Sequence, residues 1–125
     1  MRNGVLIMKR KSMAQVLMSK IKEQGGWNII LEQNYNVAEK SAMEQNADTA
    51  VIEAAEDGQY NIVYCLNLCA RFRMNLPECK ILFLCPEQNK ENISKAIAAK
   101  QNKIIDDFIF YDTSLEYLVS KVFSI

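Results

Sequence analysis

The chain has 125 residues, which is enough for one hydrophobic core and too few for two. Its 15 Lys and Arg residues balance 15 Asp and Glu residues, and a net charge of zero argues against nucleic-acid binding, which needs clustered positive charge. The sequence has no His, so it lacks the side chain that most often exchanges protons near neutral pH and binds metals.

Five short apolar runs alternate with segments of helical pattern. The runs are Val5–Met8, Trp27–Leu31, Thr49–Ile52, Ile81–Cys85 and Phe108–Tyr111. Most of them are apolar at consecutive positions, which is typical of parallel strands buried on both faces. Strand–helix pairs joined by short connections predict one α/β domain over residues 1–125, a right-handed doubly wound sheet with helices on both faces.

The helical segments have apolar residues three and four positions apart, which indicates amphipathic helices. In the fourth segment, this spacing predicts that Ile93, Ala96 and Ile97 face inward. Asn36 and Thr113, each followed by a Glu three positions later, predict capping boxes at the start of the second and fifth helices.

No apolar run approaches the roughly 20 residues that a membrane-spanning helix needs, and the first run is too short for a signal peptide. A cytoplasmic protein is therefore expected. The cysteines lie in apolar surroundings and form no CxxC pair, which favours core packing over disulfides or a zinc site. They are Cys65, Cys69, Cys79 and Cys85.

Residues that follow the apolar runs are the candidates for function, because the crevice of a doubly wound sheet lies at the carboxyl ends of its strands. Lys9 and Arg10 follow the first run, and Glu53 follows the third. Cys85 ends the fourth run and Tyr111 ends the fifth. Glu53 is an acid at the end of an apolar strand, so it is the first candidate for chemistry or for an ion pair.

Three stretches of the chain resemble the receiver domain of two-component response regulators. They are VLIMKRK at 5–11, DTAVIE at 48–53 and DDFIFYDTSLEYLVSKV at 106–122. The resemblance covers essentially the whole chain. It implies a flavodoxin-like fold, in which a five-stranded parallel sheet has the strand order 2-1-3-4-5.

At each position that is catalytic in receiver domains, this chain has a different type of residue. Glu53 stands where the family has its phosphoacceptor Asp, and Lys9 and Arg10 stand where an acidic pair binds magnesium. Cys85 replaces a Thr or Ser, and Tyr111 replaces a Lys that pairs with the phosphate. Magnesium needs oxygen ligands that two basic side chains cannot supply. The resemblance therefore implies a degenerate receiver, or pseudo-receiver, with no phosphorylation, no metal, no cofactor and no enzymatic activity.

The sequence leaves two interpretations of Glu53 open. Its carboxylate forms an internal ion pair with Lys9 or Arg10, or it imitates a phosphorylated Asp and holds the domain in one state. The ion pair is favoured, because the exchange of acids for bases supplies the partner directly. Phe108 matches the aromatic residue that changes rotamer in receivers, and Cys85 is either a small core residue or a reactive thiol. Core roles are favoured for both.

Charged residues mark the face that the fourth helix, fifth strand and fifth helix are expected to form. They are Lys95, Asp106, Asp107, Glu116 and Lys121. By resemblance to receivers, this face is expected to bind a protein partner or to form a homodimer. No contact of this domain with membrane or nucleic acid is expected.

These patterns favour a non-phosphorylated signalling module that acts through protein contacts, alone or as the N-terminal part of a longer transcriptional regulator. One alternative is a small flavodoxin-like enzyme or cofactor-binding protein, although the stretch KRKSMAQ has no Gly for a phosphate loop. Another alternative is a receiver phosphorylated at a displaced acid, Glu56 or Asp57. It is disfavoured because no acidic pair is left to bind the metal.

Overall fold

The computed structural model of the chain describes residues 1–87 and 89–125 and shows five strands, each followed by a helix. The strands are β1 (Arg2–Ile7), β2 (Trp27–Glu32), β3 (Thr49–Glu53), β4 (Lys80–Cys85) and β5 (Asp107–Phe110). The helices are α1 (Lys11–Glu23), α2 (Ala38–Gln45), α3 (Ile62–Asn75), α4 (Lys90–Gln101) and α5 (Leu115–Ser124), and a short 3-10 helix (Tyr35–Val37) precedes α2. All strand pairs are parallel and the order is β2-β1-β3-β4-β5, which confirms the predicted fold class.

The sheet is buried on both faces, and its strands alternate between two hydrophobic cores. On one face, Val5 and Ile52 pack with residues of α2, α3 and α4. On the other face, Leu6 and Val51 pack with residues of α1 and α5. All residues of the central strand β3 are buried. Consecutive apolar residues of a strand therefore pack into the cores on opposite faces of the sheet, which is why the runs do not alternate between apolar and polar residues.

Helix ends and one helix face differ from the sequence prediction. Asn34, not Asn36, caps the 3-10 helix, because its side chain accepts the N–H of Asn36 at 3.1 Å. Ser114, not Thr113, caps α5. The prediction that Ile97 faces inward is wrong, since 42% of it is exposed.

None of the helices within residues 1–87 and 89–125 combines the length and the apolar character that crossing a bilayer requires. The loops after β1, β3, β4 and β5 meet at the carboxyl edge of the sheet, where parallel strands place the candidate residues together.

Candidate functional site

Glu53 lies at the end of β3 with only 2% of its side chain exposed. Its Oε1 atom accepts the backbone N–H groups of Lys9 at 2.9 Å and Arg10 at 3.1 Å. Its Oε2 atom accepts the Nε–H of Arg10 at 2.6 Å, which forms an ion pair. The loop after β1 therefore surrounds this carboxylate with three donors, as a buried charge requires.

Arg10 is held between Glu53 and an aromatic ring. Its guanidinium carbon lies 3.8 Å from the ring centroid of Tyr111, which is a cation–π contact. The Tyr111 hydroxyl donates a hydrogen bond to the backbone carbonyl of Ala54. Burial, and then the charge of Glu53, raises the pKa of Tyr111 above its usual range, so this hydroxyl stays protonated as a donor. The contact between Tyr111 and Arg10 was not predicted from the sequence, in which Tyr111 stands at the position of the Lys of receivers.

Lys9 contributes its backbone to the Glu53 site and directs its side chain elsewhere. Its Nζ atom lies 4.9 Å from the ring centroid of Tyr60 and 5.5 Å from that of Tyr35. Tyr35 and Tyr60 stack with ring centroids 4.7 Å apart. Of the two predicted basic partners, only Arg10 pairs its side chain with Glu53.

Tyr35 is a second residue of the site that sequence reasoning missed. It is 1% exposed, and its hydroxyl lies 2.5 Å from the backbone oxygen of Glu53 and 3.1 Å from that of Ile7. It thereby ties the ends of β1 and β3 together beneath the ion pair. A Tyr at the start of a 3-10 helix after β2 gives no sequence signal for this contact.

Cys85 is fully buried at the end of β4. Burial raises the pKa of its thiol to about 12, so the thiolate that reacts with electrophiles is scarce at neutral pH. These features match a core residue and not a reactive thiol. The other cysteines, Cys65, Cys69 and Cys79, are also buried and free.

We expect the native protein to react with a disulfide reagent such as DTNB far more slowly than the unfolded protein. All four thiols are buried, and burial raises the pKa of Cys65 and Cys79 to about 12 as well. Titration with the reagent in buffer and in denaturant measures the difference. Rapid reaction of one thiol in the native protein would contradict the buried placement of Cys85.

Phe108 is half-buried on the α2–α3–α4 side of the sheet. Its ring meets that of Phe110 edge to face, with centroids 5.8 Å apart and an interplanar angle of 80°. This is an ordinary aromatic packing contact. It fits the core role that the sequence favoured.

The charged residues predicted to share one face lie in three different places. Lys95 pairs with Glu91 on α4 and borders the groove between α3 and α4. Asp106 turns toward the end of α3, where it pairs with Arg73 at 2.8 Å. Glu116 borders the cleft between α1 and α5. These three residues therefore make contacts in different places, and their sharing of one binding face stays a prediction.

Asp107 and Lys121 do lie together, at the edge of the sheet between α4 and α5. The Asp107 carboxylate is 2.6 Å from the Nζ atom of Lys121 and 3.2 Å from that of Lys100. Burial alone would raise the pKa of Asp107, but hydrogen bonds from Lys121, the N–H of Phe108 and Lys100 outweigh it and hold the pKa below its usual range. This cluster links β5 to both neighbouring helices.

We expect Asp107→Asn to lower the free energy of unfolding by about 1 kcal/mol at neutral pH. The pKa of Asp107 is lower in the folded protein than the value of about 4 in the unfolded chain. The ionised carboxylate therefore stabilises the folded protein above about pH 4, and this stabilisation is lost as the pH falls through the folded-state pKa. The difference between wild type and variant should therefore shrink as the pH falls below about 4. Urea denaturation across this range measures it, and a difference independent of pH would contradict the charge-based explanation.

The backbone donors of the loop after β1 are engaged by Glu53. Across the part of the chain that the structure describes, no three or more acidic, Cys or His side chains are grouped closely enough to hold a metal ion. The N–H groups of Lys9 and Arg10, which would face a phosphate in a loop after β1, already bind Glu53. Glu56 and Asp57 are exposed on the loop after β3.

The topology and the carboxyl-edge crevice define a class: the chain has the fold of response-regulator receiver domains. It is similar to a DNA-binding response regulator of the LuxR family from Staphylococcus aureus, with 18% identity, a TM-score of 0.77 and coverage of 98% of this chain and 96% of the other. A response regulator from Thermotoga maritima matches with 21% identity, a TM-score of 0.73 and coverage of 97% and 93%. HP1043, an orphan response regulator of H. pylori, matches with 15% identity, a TM-score of 0.79 and coverage of 98% and 94%. Neither a protein-family model nor a curated protein sequence matches the chain.

Proposed function

We propose that residues 1–125 form one degenerate receiver domain, a signalling module that works through protein contacts and is not switched by phosphorylation. The observation that carries this proposal is the ion pair of the buried Glu53 with the partly exposed Arg10, at the edge of the sheet where a receiver would bind its metal and phosphoryl group. The module is not an enzyme in this proposal. The buried, unpaired cysteines are consistent with the cytoplasmic location expected from the sequence, which stays a prediction.

Three features of the crevice oppose phosphoryl transfer. The guanidinium of Arg10 places a positive charge beside the acceptor position, where it would repel a magnesium ion. Tyr111 cannot supply the cation that would neutralise charge on a transferring phosphoryl group, and its hydroxyl is already used by Ala54. Cys85 is fully buried and has no hydroxyl to donate.

The same contacts favour a structural ion pair over imitation of a phosphorylated Asp. A mimic would direct its charge toward the residues that follow β4 and β5. Both Glu53 oxygens instead bind donors of the loop after β1. In this proposal Arg10 takes over the charge-balancing role of the metal, and the domain keeps one conformation.

Mass spectrometry tests the loss of phosphorylation directly. After incubation with acetyl phosphate and Mg²⁺, we expect the intact mass to stay unchanged and amide NMR spectra to show no shift beyond that caused by salt. A gain of about 80 Da, one phosphoryl group, would overturn the proposal. Fragmentation would then tell Glu53 from the displaced acids Glu56 and Asp57.

For the contact surface, we propose that a protein partner binds where α4, β5 and α5 meet. β5 is an edge strand, so one side of its backbone has no neighbouring strand in the described sheet. Tyr117 is 51% exposed beside Lys121, and a half-exposed Tyr is a common anchor in protein interfaces.

Site-specific cross-linking in cells tests this surface. A photo-reactive residue at position 117 should give a defined cross-linked species. The same residue at Met43 on α2, which is 48% exposed, is the matched control and should not give it. Equal products from both positions, or none from either, would contradict this choice of surface.

A further inference from the structure

The helices α3 and α4 leave an open apolar groove between them, with a volume of about 320 Å³. Val63, Leu66 and Ala70 form its α3 side, and Ala98 and Ala99 form its α4 side. Small Ala side chains keep the groove shallow and wide enough to receive side chains from another helix. Within the described ranges, the two helices make few direct contacts with each other.

Apolar side chains also project from the ridges beside this groove. Val63, which lines the groove, is 52% exposed, and Met74 at the end of α3 is 81% exposed. Large exposed apolar side chains beside an apolar groove are typical of a surface that another protein covers.

The groove ends in two regions of opposite charge. At the carboxyl edge of the sheet, the acids Glu56, Glu87 and Glu91 outnumber Lys95. At the amino edge, Arg73 pairs with Asp106 and Lys100 pairs with Asp107, so Lys103 gives this end its excess positive charge. The three regions are continuous. Val63 and Lys95 line both the acidic end and the groove, and Lys100 and Ile105 of the basic end directly follow the groove residues Ala99 and Ile104.

We propose that a second copy of this chain covers this surface, with the α3–α4 face of each copy packed antiparallel against that of its partner. A two-fold axis perpendicular to the helices places the acidic end of each copy on the basic end of the other. Both ends are then neutralised at once, which a partner of uniform charge could not achieve. The exposed apolar residues of both copies become buried in the centre. This self-association goes beyond the proposed function and uses another surface than the contact face at β5.

Charge reversal with rescue is the decisive test. Sedimentation or light scattering of the purified chain should show a concentration-dependent dimer that weakens as salt rises. Glu87→Lys and Lys103→Glu, each alone, place like charges at both ends of the interface, and we expect each to raise the dimer Kd about tenfold or more. An equimolar mixture of the two variants should dimerise again, because the mixed dimer has opposite charges at both ends. Val63→Ser, at an exposed position that lines the groove, should also weaken the dimer.

Lys22→Glu on α1 is the control, since it reverses an exposed charge on another face and should leave the dimer unchanged. Circular dichroism verifies that each variant is folded. A chain that stays monomeric at all concentrations overturns the proposal. So does a dimer that neither charge reversal weakens, which would place the interface elsewhere, or a mixture of the two variants that stays monomeric. The phosphorylation test does not depend on any of these outcomes.

Discussion

Arg10→Met lowers the free energy of unfolding by about 3 kcal/mol, the expected result of leaving a buried carboxylate without its charged partner. Glu53 is 2% exposed, so water cannot replace the lost guanidinium without disturbing the site. The variant also loses the stacking of Arg10 on Tyr111. Urea denaturation followed by the fluorescence of Trp27 measures the change.

A double-mutant cycle separates the pair from other effects of each substitution. Glu53→Met alone should cost less than Arg10→Met, because the Arg10 side chain is 37% exposed and can reach water, although two backbone N–H groups lose their acceptor. The double variant should cost clearly less than the sum, since two apolar side chains leave no unpaired charge. Lys11→Met, at an exposed neighbouring position, is the control and should change stability by less than about 0.5 kcal/mol. Additive costs in the cycle would mean that the two side chains do not interact in solution.

The fold could be predicted because strands buried on both faces of a parallel sheet have apolar residues at consecutive positions. In the run Thr49–Ile52, three consecutive apolar residues follow a buried Thr, and the observed strand extends this run by only Glu53. β1 begins at Arg2, earlier than its apolar run, because Arg2 and Asn3 pair with β2 through their backbones and their side chains need no core. The observed capping residues lie one or two positions away from the predicted ones, since neighbouring Asn and Ser side chains compete to accept the free N–H groups at a helix start.

Charge complementarity predicted a basic partner for Glu53, but it could not identify which residue that partner is. The exchange of acids for bases at Lys9 and Arg10 predicted a partner for Glu53, but the choice between them depends on which direction each side chain takes after the strand ends. Successive residues at a strand end point to opposite sides, so one faces the crevice and the other faces Tyr35 and Tyr60. Directions of this kind are set by tertiary packing, which also turns Asp106 toward Arg73 and places Glu116 beside the cleft between α1 and α5.

A site that exchanged metal ligands for an internal cation should regain metal dependence when the acids are restored. In the double variant Lys9→Asp/Arg10→Asp, the carboxylate at position 10 lies beside Glu53 without a guanidinium to balance it, and the carboxylate at position 9 adds a further negative charge on the same loop. Like charges that share a buried site repel, so we expect a loss of about 4 kcal/mol or more in metal-free buffer. The carboxylates at positions 10 and 53 also provide hard oxygen ligands of the kind that Mg²⁺ prefers.

Adding Mg²⁺ should therefore stabilise this double variant and leave the wild-type protein unchanged. A ligand that binds only the folded state, at a concentration 100 times its Kd, adds about 2.7 kcal/mol, which would raise the melting temperature by several degrees. Thermal unfolding with MgCl₂, and with KCl at the same ionic strength as control, separates metal binding from general screening. Lys11→Asp adds an acid nearby but outside the crevice and should show no Mg²⁺ response. An equal response of wild type and double variant would mean that Arg10 does not occupy the place of a metal, since a crevice already balanced by its guanidinium has no charge for Mg²⁺ to neutralise.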